Sequence, residues 1–314
     1  MKKTALFSMA FVLAALPVCG ACAQEFVLMT GLEQSTSYQL GSVIAGQIHD
    51  AADITVTVVT SADSQASLEA IEAGDADLAI VSSDIMYYAY EGFNTFDTFL
   101  ENFLIAADLY LQPIQIVTCN PDIQVIQDLK GKNVALGTQQ SGVYFGALDI
   151  LGLYGLTEDS ITPVYESFED CTDRLLSGEI DAAFVIADAP SDDITALGES
   201  GDLHLIGLDD DQTEALVEIC PYYSRDVIKA SVYDLEEDIT TLAVSEVLVA
   251  RSDMAEEDVH DVVSAIFENA DKIKAAHARG ADLDLEFAAS IWDIPYHDGA
   301  TMYFDEKNNE AAAE

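Results

Sequence analysis

Three stretches of small polar residues each join an apolar run to a helical one, and each could hold an anionic group. They are Thr30 to Tyr38, with Gly31, Ser35 and Thr36; Ser82-Ser83-Asp84; and Gly137 to Tyr144, with Ser141, Gly142 and Val143. Backbone N–H groups at a helix start have no intrahelical acceptor, and the helix dipole adds positive potential, so carboxylates are attracted there. Hydroxyls of Ser35, Thr36, Tyr38, Ser82, Ser83 and Ser141 add donors. The same residue types also serve as plain N-caps, and within any single loop both roles fit equally. Three such loops converging on one place would favour binding. None contains Lys or Arg, so an anion would rest on N–H groups and hydroxyls, while Asp84 could accept from an ammonium.

Catalytic patterns are missing. The sequence has no G-x-S-x-G, no H-E-x-x-H and no phosphate loop ending in Gly-Lys. Its five histidines, at 49, 204, 260, 277 and 297, lack metal-ligand spacing. Asp192-Asp193 and Asp209-Asp210-Asp211 lack the alternate-position spacing of a calcium loop and read as solvated faces.

The elements that must position the loops alternate between strand and helix. Phe26 to Met29, Ile54 to Val59 and Leu78 to Val81 read as strands, and Tyr38 to Ile48 has helical spacing. One unit occurs twice: a helix end, a stopping glycine, an aspartate and a short apolar strand. The copies are Ala70 to Val81, with Gly74 and Asp77, and Leu175 to Ile186, with Gly178 and Asp181. The first runs into Ser82-Ser83-Asp84 and the second into Asp188-Ala189-Pro190-Ser191. This predicts two similar α/β lobes with mostly parallel sheets, their loops at the carboxyl ends of the strands, where open sheets bind ligands. Ile114 to Thr118 is read as the strand leaving the first lobe, with Asn120-Pro121 as a hinge, and Ile239 to Ala250 as the return. Val259 to Ile273 follows as one amphipathic helix that Ser252 or Asp253 could cap and Gly280 could end.

The N-terminus has the order of a secretory signal: Lys2-Lys3, an apolar run from Ala5 to Val18, then Ala21-Cys22-Ala23 before Gln24. Residues 1–23 are therefore expected to be cleaved, which implies the periplasm. A retained anchor and lipid attachment at Cys19 or Cys22 are the alternatives. The chain carries 57 acidic and 12 basic residues, a net charge of −45. Such a field repels nucleic acid and anionic lipid. Outside the signal, Cys119, Cys171 and Cys220 form no disulfide framework, though one Cys171–Cys220 bridge is compatible with an oxidising compartment.

Three segments resemble the TAXI family, solute receptors of tripartite ATP-independent periplasmic (TRAP) transporters. Lys130-Gly131-Lys132-Asn133-Val134-Ala135-Leu136-Gly137, ending in Ser141-Gly142, is similar to its K-G-K-x-V-x-x-G…S-G segment. Gly178 to Pro190 is similar to its G-x-x-D-A-x-F segment and proline loop, and Pro295 to Tyr303 resembles its closing P-x-H-x-G-A-x-x-Y signature. The resemblance implies a two-lobed periplasmic-binding fold of type II with the ligand cleft between lobes. The first lobe would span 24–118 plus 241–306, the second 119–240, and 307–314 would be a disordered tail. It further implies no catalysis, no cofactor, a small carboxylate or glutamate-like amino acid as ligand, and TRAP permease subunits as partners. The ligand would meet Thr30, Gly31, Ser35, Thr36, Tyr38, Ser82, Ser83, Asp84, Ser141, Gly142, Val143, Tyr144, Asp188, Pro190 and Ser191. The family's first loop is glycine-rich, whereas here Leu32, Glu33 and Ser35 replace glycines, and Val143-Tyr144 replaces Thr-Arg. These departures bear on the ligand, not the fold. A sensory module for a membrane receptor, and an enzyme on the same scaffold, are the other readings.

Overall fold

The computed structural model describes residues 24–201, 203–290 and 294–313, so the expected signal and the lipid-anchor cysteines lie outside the described residues. The first elements are β1 (Glu25–Thr30), α1 (Thr36–Ala52), β2 (Thr55–Thr60), α2 (Ser64–Ala73), β3 (Leu78–Ser82), α3 (Ser83–Glu91) and the long β4 (Phe103–Thr118). Next come β5 (Asn133–Ala135), α4 (Gly142–Leu153), β6 (Thr162–Val164), α5 (Phe168–Leu176), β7 (Ala182–Ile186), α6 (Asp192–Ser200), β8 (His204–Leu205), α7 (Asp210–Ile219) and β9 (Tyr223–Ile228). The chain returns through β10 (Ile239–Arg251) and ends in α8 (Glu256–Phe267), α9 (Ala270–Ala276), α10 (Leu285–Ala288) and α11 (Asp298–Ala313).

Both copies of the repeated unit fold alike. Gly74 and Gly178 take left-handed backbone at φ 77° and 73°, which a side chain would disfavour. Asp77 then accepts from Val27 N–H, and Asp181 from Asn133 N–H, so each aspartate ties its strand to the neighbouring one. In one half β2, β1 and β3 run parallel, and in the other β6, β5 and β7 do. Between them β10 and β4 pair antiparallel to each other and to their neighbours, giving the order β2-β1-β3-β10-β4-β7-β5-β6.

The apolar clusters divide along these two central strands. Tyr110 and Leu248 belong to clusters of the first half, Ile114 and Val244 to clusters of the second. The passage between halves thus lies inside β4, at Leu111 to Pro113, and not at Asn120-Pro121 as predicted. A continuous strand retains its backbone hydrogen bonds while crossing, which a loop would not.

Other expectations also change. Residues 307–313 are helical, not disordered: α11 buries Tyr303 and Phe304 against Phe267, and Lys307 pairs with Glu268 at 2.5 Å and with Glu310 at 3.1 Å. The polar tail extends a helix already anchored by its first turns. Cys171 and Cys220 are free; Cys171 is buried in one cluster of the second half and Cys220 packs on another, so they are not paired. The predicted helix over 259–273 is capped by Ala255, not by Ser252 or Asp253, and breaks between α8 and α9 at Asn269. Gly280 closes a short 3-10 turn beyond α9, where a Cβ would overlap the backbone of Ile273 and Lys274.

Candidate ligand-binding cleft

The predicted loops lie at the carboxyl ends of β1, β3, β5 and β7 and meet in pairs across the two halves. In the first pair, the Thr36 hydroxyl donates to Asp188 Oδ2, joining the start of α1 to the loop before α6. Asp188 Oδ1 also accepts from Arg279 Nη2 at 2.7 Å and from Gln112 Nε2 at 3.3 Å. Gln115 steadies this loop by donating to the Ala187 and Asp188 carbonyls at 3.0 and 3.2 Å. Tyr233 donates to Gln115 and accepts from Ser191 N–H at 2.8 Å. Pro190 follows a cis peptide bond and is exposed.

In the second pair, Asp84 presses on Gly142, where a Cβ would overlap Asp84 Oδ2. Asp84 is fully buried; its Oδ1 accepts from Ile85 N–H at 2.8 Å, but Oδ2 has no hydrogen-bond partner. Burial raises its pKa, against hydrogen bonds from Ser82 and the backbone that lower it. Ser83 bridges the halves as well, donating to the Tyr222 carbonyl at 2.8 Å and accepting from Ser245 N–H at 2.9 Å.

Between the pairs stands Glu246 on β10, in register with Ser82 on β3 and with Tyr110 on β4. It is 9% exposed. Burial pushes its pKa up to about 8, reinforced by the carboxylates of Asp84, Asp188 and Asp108. A bulge in β4 at Leu109 sets Asp108 opposite Val247 and Tyr110 opposite Glu246. Asp108 thereby joins Ser245 at a cavity of about 190 Å³ that Ser83, Tyr87 and Tyr222 also line. Tyr110 instead faces a cavity of about 350 Å³ with Pro113, Ala189, Lys229 and Arg279. The Arg279 guanidinium lies 5.1 Å from the Tyr110 ring centroid.

A model of the NMT1-like family matches residues 28–307 of this chain. The chain belongs to the NMT1-like family. Among solved structures it is similar to the periplasmic aliphatic sulphonate binding protein SsuA from Escherichia coli, at 15% identity and a TM-score of 0.51, covering 90% of this chain and 83% of that one. It is also similar to the probable amino-acid ABC transporter extracellular-binding protein ytmK from Bacillus subtilis, at 15% identity, a TM-score of 0.53, and coverage of 81% and 96%. A third is XAC2383 from Xanthomonas citri, bound to chloride ion, at 11% identity, a TM-score of 0.54, and coverage of 92% and 98%. The fold is that of type II periplasmic binding proteins. Among the described residues, no helix is long and apolar enough to cross a membrane.

In this NMT1-like chain the predicted residues take four kinds of place. Thr36, Asp84, Gly142 and Asp188 make contacts across the cleft. Ser35 and Ser141 cap their helices, accepting from Tyr38 N–H and Tyr144 N–H, each at 3.2 Å. Thr30 is buried at the end of β1, and Gly31 N–H donates to Ser37 Oγ. Val143 and Tyr144 turn away. Val143 packs on the core of the second half, and the Tyr144 hydroxyl reaches Glu158 at 3.4 Å beside the Tyr165 ring. Sequence reasoning missed Glu246, Asp108, Tyr110 and Arg279. A lone acid inside an apolar strand was the available signal for the first two, since charged side chains are seldom fully buried without a reason.

Proposed function

We propose that this chain is an exported receptor that closes around a small amino acid or related carboxylate and delivers it to membrane subunits of a TRAP-type transporter. The observation that carries this reading is the closure itself: two pairs of strand-to-helix loops meet across the halves, through Thr36 with Asp188 and Asp84 with Gly142. Helix starts in these loops suit a carboxylate. Membership of the NMT1-like family and the binding-protein fold support solute capture without turnover. The assignment to the TRAP class rests on the resemblance of Pro295 to Tyr303 and of Lys130 to Gly142 to the TAXI receptors.

Native mass spectrometry of the chain purified from its own periplasm is expected to reveal a bound small molecule. Adding that molecule to stripped protein is expected to raise Tm, as ligands that bind only the folded state must. Proteoliposomes holding the permease should take it up only with this chain and an ion gradient present. Unassisted uptake, or uptake that requires ATP, would remove the TRAP assignment.

A further inference from the structure

We infer that the floor of the cleft at Glu246 recognises a protonated amine or guanidinium, so that the solute carries a cationic group and no net negative charge. This rests on the solute-receptor reading and narrows the ligand within it. Glu246 is buried, yet its carboxylate has neither a hydrogen-bond nor an ion-pair partner among the described residues; its neighbours in charge are the acids Asp84, Asp188 and Asp108. A second observation points the same way. The Tyr110 hydroxyl, in register with Glu246, is fully buried and has no hydrogen-bond partner, and Asp84 Oδ2 is likewise unpaired. Buried polar groups in native proteins are almost always paired, so these two unpaired oxygens beside an unpartnered Glu246 call for an occupant.

The chemistry of that occupant follows from what the site offers. An ionised carboxylate accepts only, a hydroxyl can accept, and an ammonium brings three donors that favour the ionised form. The charges that act on Glu246 are those of Asp84 from α3, Asp108 from β4 and Asp188 from the loop before α6, while Tyr110, its cross-strand neighbour, is in turn influenced by Arg279 and Asp282 from the turn after α9. The single cation among them, Arg279, already pairs with Asp188 at 2.7 Å and Asp282 at 2.9 Å. A dicarboxylate entering here would find acids and no free cation, so its second charge would be buried without a counter-charge, which is strongly unfavourable. A bound metal would need several ligands converging, and no group of His, Cys, Asp and Glu among the described residues has that arrangement. An amino acid's carboxylate can still lie at a helix start, with its amine toward Glu246.

The test is calorimetry on the full secreted chain, stripped of solute, with putrescine, L-arginine, L-glutamine, L-glutamate and succinate. Arginine or putrescine should bind and succinate should not. Binding should tighten by about tenfold per pH unit from 6 to 8, because only ionised Glu246 binds the cation. Glu246→Gln should weaken it by about 30-fold or more. Tyr110→Phe, which keeps the ring, should weaken it by about fivefold. Succinate or glutamate binding that survives Glu246→Gln would overturn the inference and leave the receptor reading standing. A chain that binds no member of the panel and carries no small molecule when isolated from its periplasm would overturn both.

Discussion

Ligand-free protein is expected to gain on the order of 4 kcal/mol of stability when the pH falls from 8 to 5. Most proteins lose stability on acidification because paired carboxylates must be protonated. Here the dominant group works in the opposite sense. Glu246 has a folded-state pKa of about 8 against an ordinary 4.5, so the folded chain holds a proton that the unfolded chain has released. Its contribution is fully present below about pH 4.5 and is lost as the pH rises through 8. Burial raises Asp84, Asp108 and Asp149 as well, adding to the same slope. Opposing groups such as Asp210 and Asp253, held low by Arg225 and Arg251, lose their contributions only below their ordinary range. Urea titrations at pH 5, 6, 7 and 8 measure the slope. Glu246→Gln should flatten most of it, and an equal slope in the variant would refute the assignment to Glu246.

Replacing Gly299 by alanine should cost about 3 kcal/mol and lower Tm by roughly 6–10 °C. Gly299 lies in the first turn of α11, where a Cβ would overlap the carbonyl oxygen of Glu256 and stand 2.9 Å from His260 N. Both are backbone atoms of α8, so no side-chain rotation relieves the clash. Gly46, inside α1, has open space at the same position. Gly46→Ala should therefore hold or raise stability by up to ~1 kcal/mol, since alanine loses less backbone entropy in a helix. Equal melting of the two variants would mean that α11 does not dock on α8 as described.

This contrast explains much of what was legible in advance. The Pro295 to Tyr303 segment stands out because its geometry is demanding: Ile105 N–H donates to the Pro295 carbonyl, His297 N–H donates to the Ile105 carbonyl, and His297 Nδ1 accepts from Gly299 N–H. The repeated Gly-x-x-Asp unit was readable because left-handed glycines and strand-tying aspartates are local requirements. Loops at strand ends were found from composition alone. Their detailed roles were not, since a serine that caps a helix and one that faces a ligand look identical in sequence. Glu246 and Arg279 escaped for another reason. Their roles depend on the pairing of β10 with β3 and β4, and on a turn 91 residues beyond Asp188 in sequence. Nothing local in Ser245-Glu246-Val247 tells which face of β10 opens on the cleft, and a bulge in its partner strand helps to settle it.

Because β4 and β10 each contribute to apolar clusters on both sides of the cleft, the two halves are not separate unfolding units. Melting the second half would strip β9 and β7 from these strands and leave Ile114 to Thr118 and Ile239 to Val244 as unpaired edges of what remained. Exposed apolar edges of that kind are adhesive, and proteins manage them closely. Sharing one sheet therefore disfavours a half-folded intermediate of the kind that a chain of two linked domains can populate.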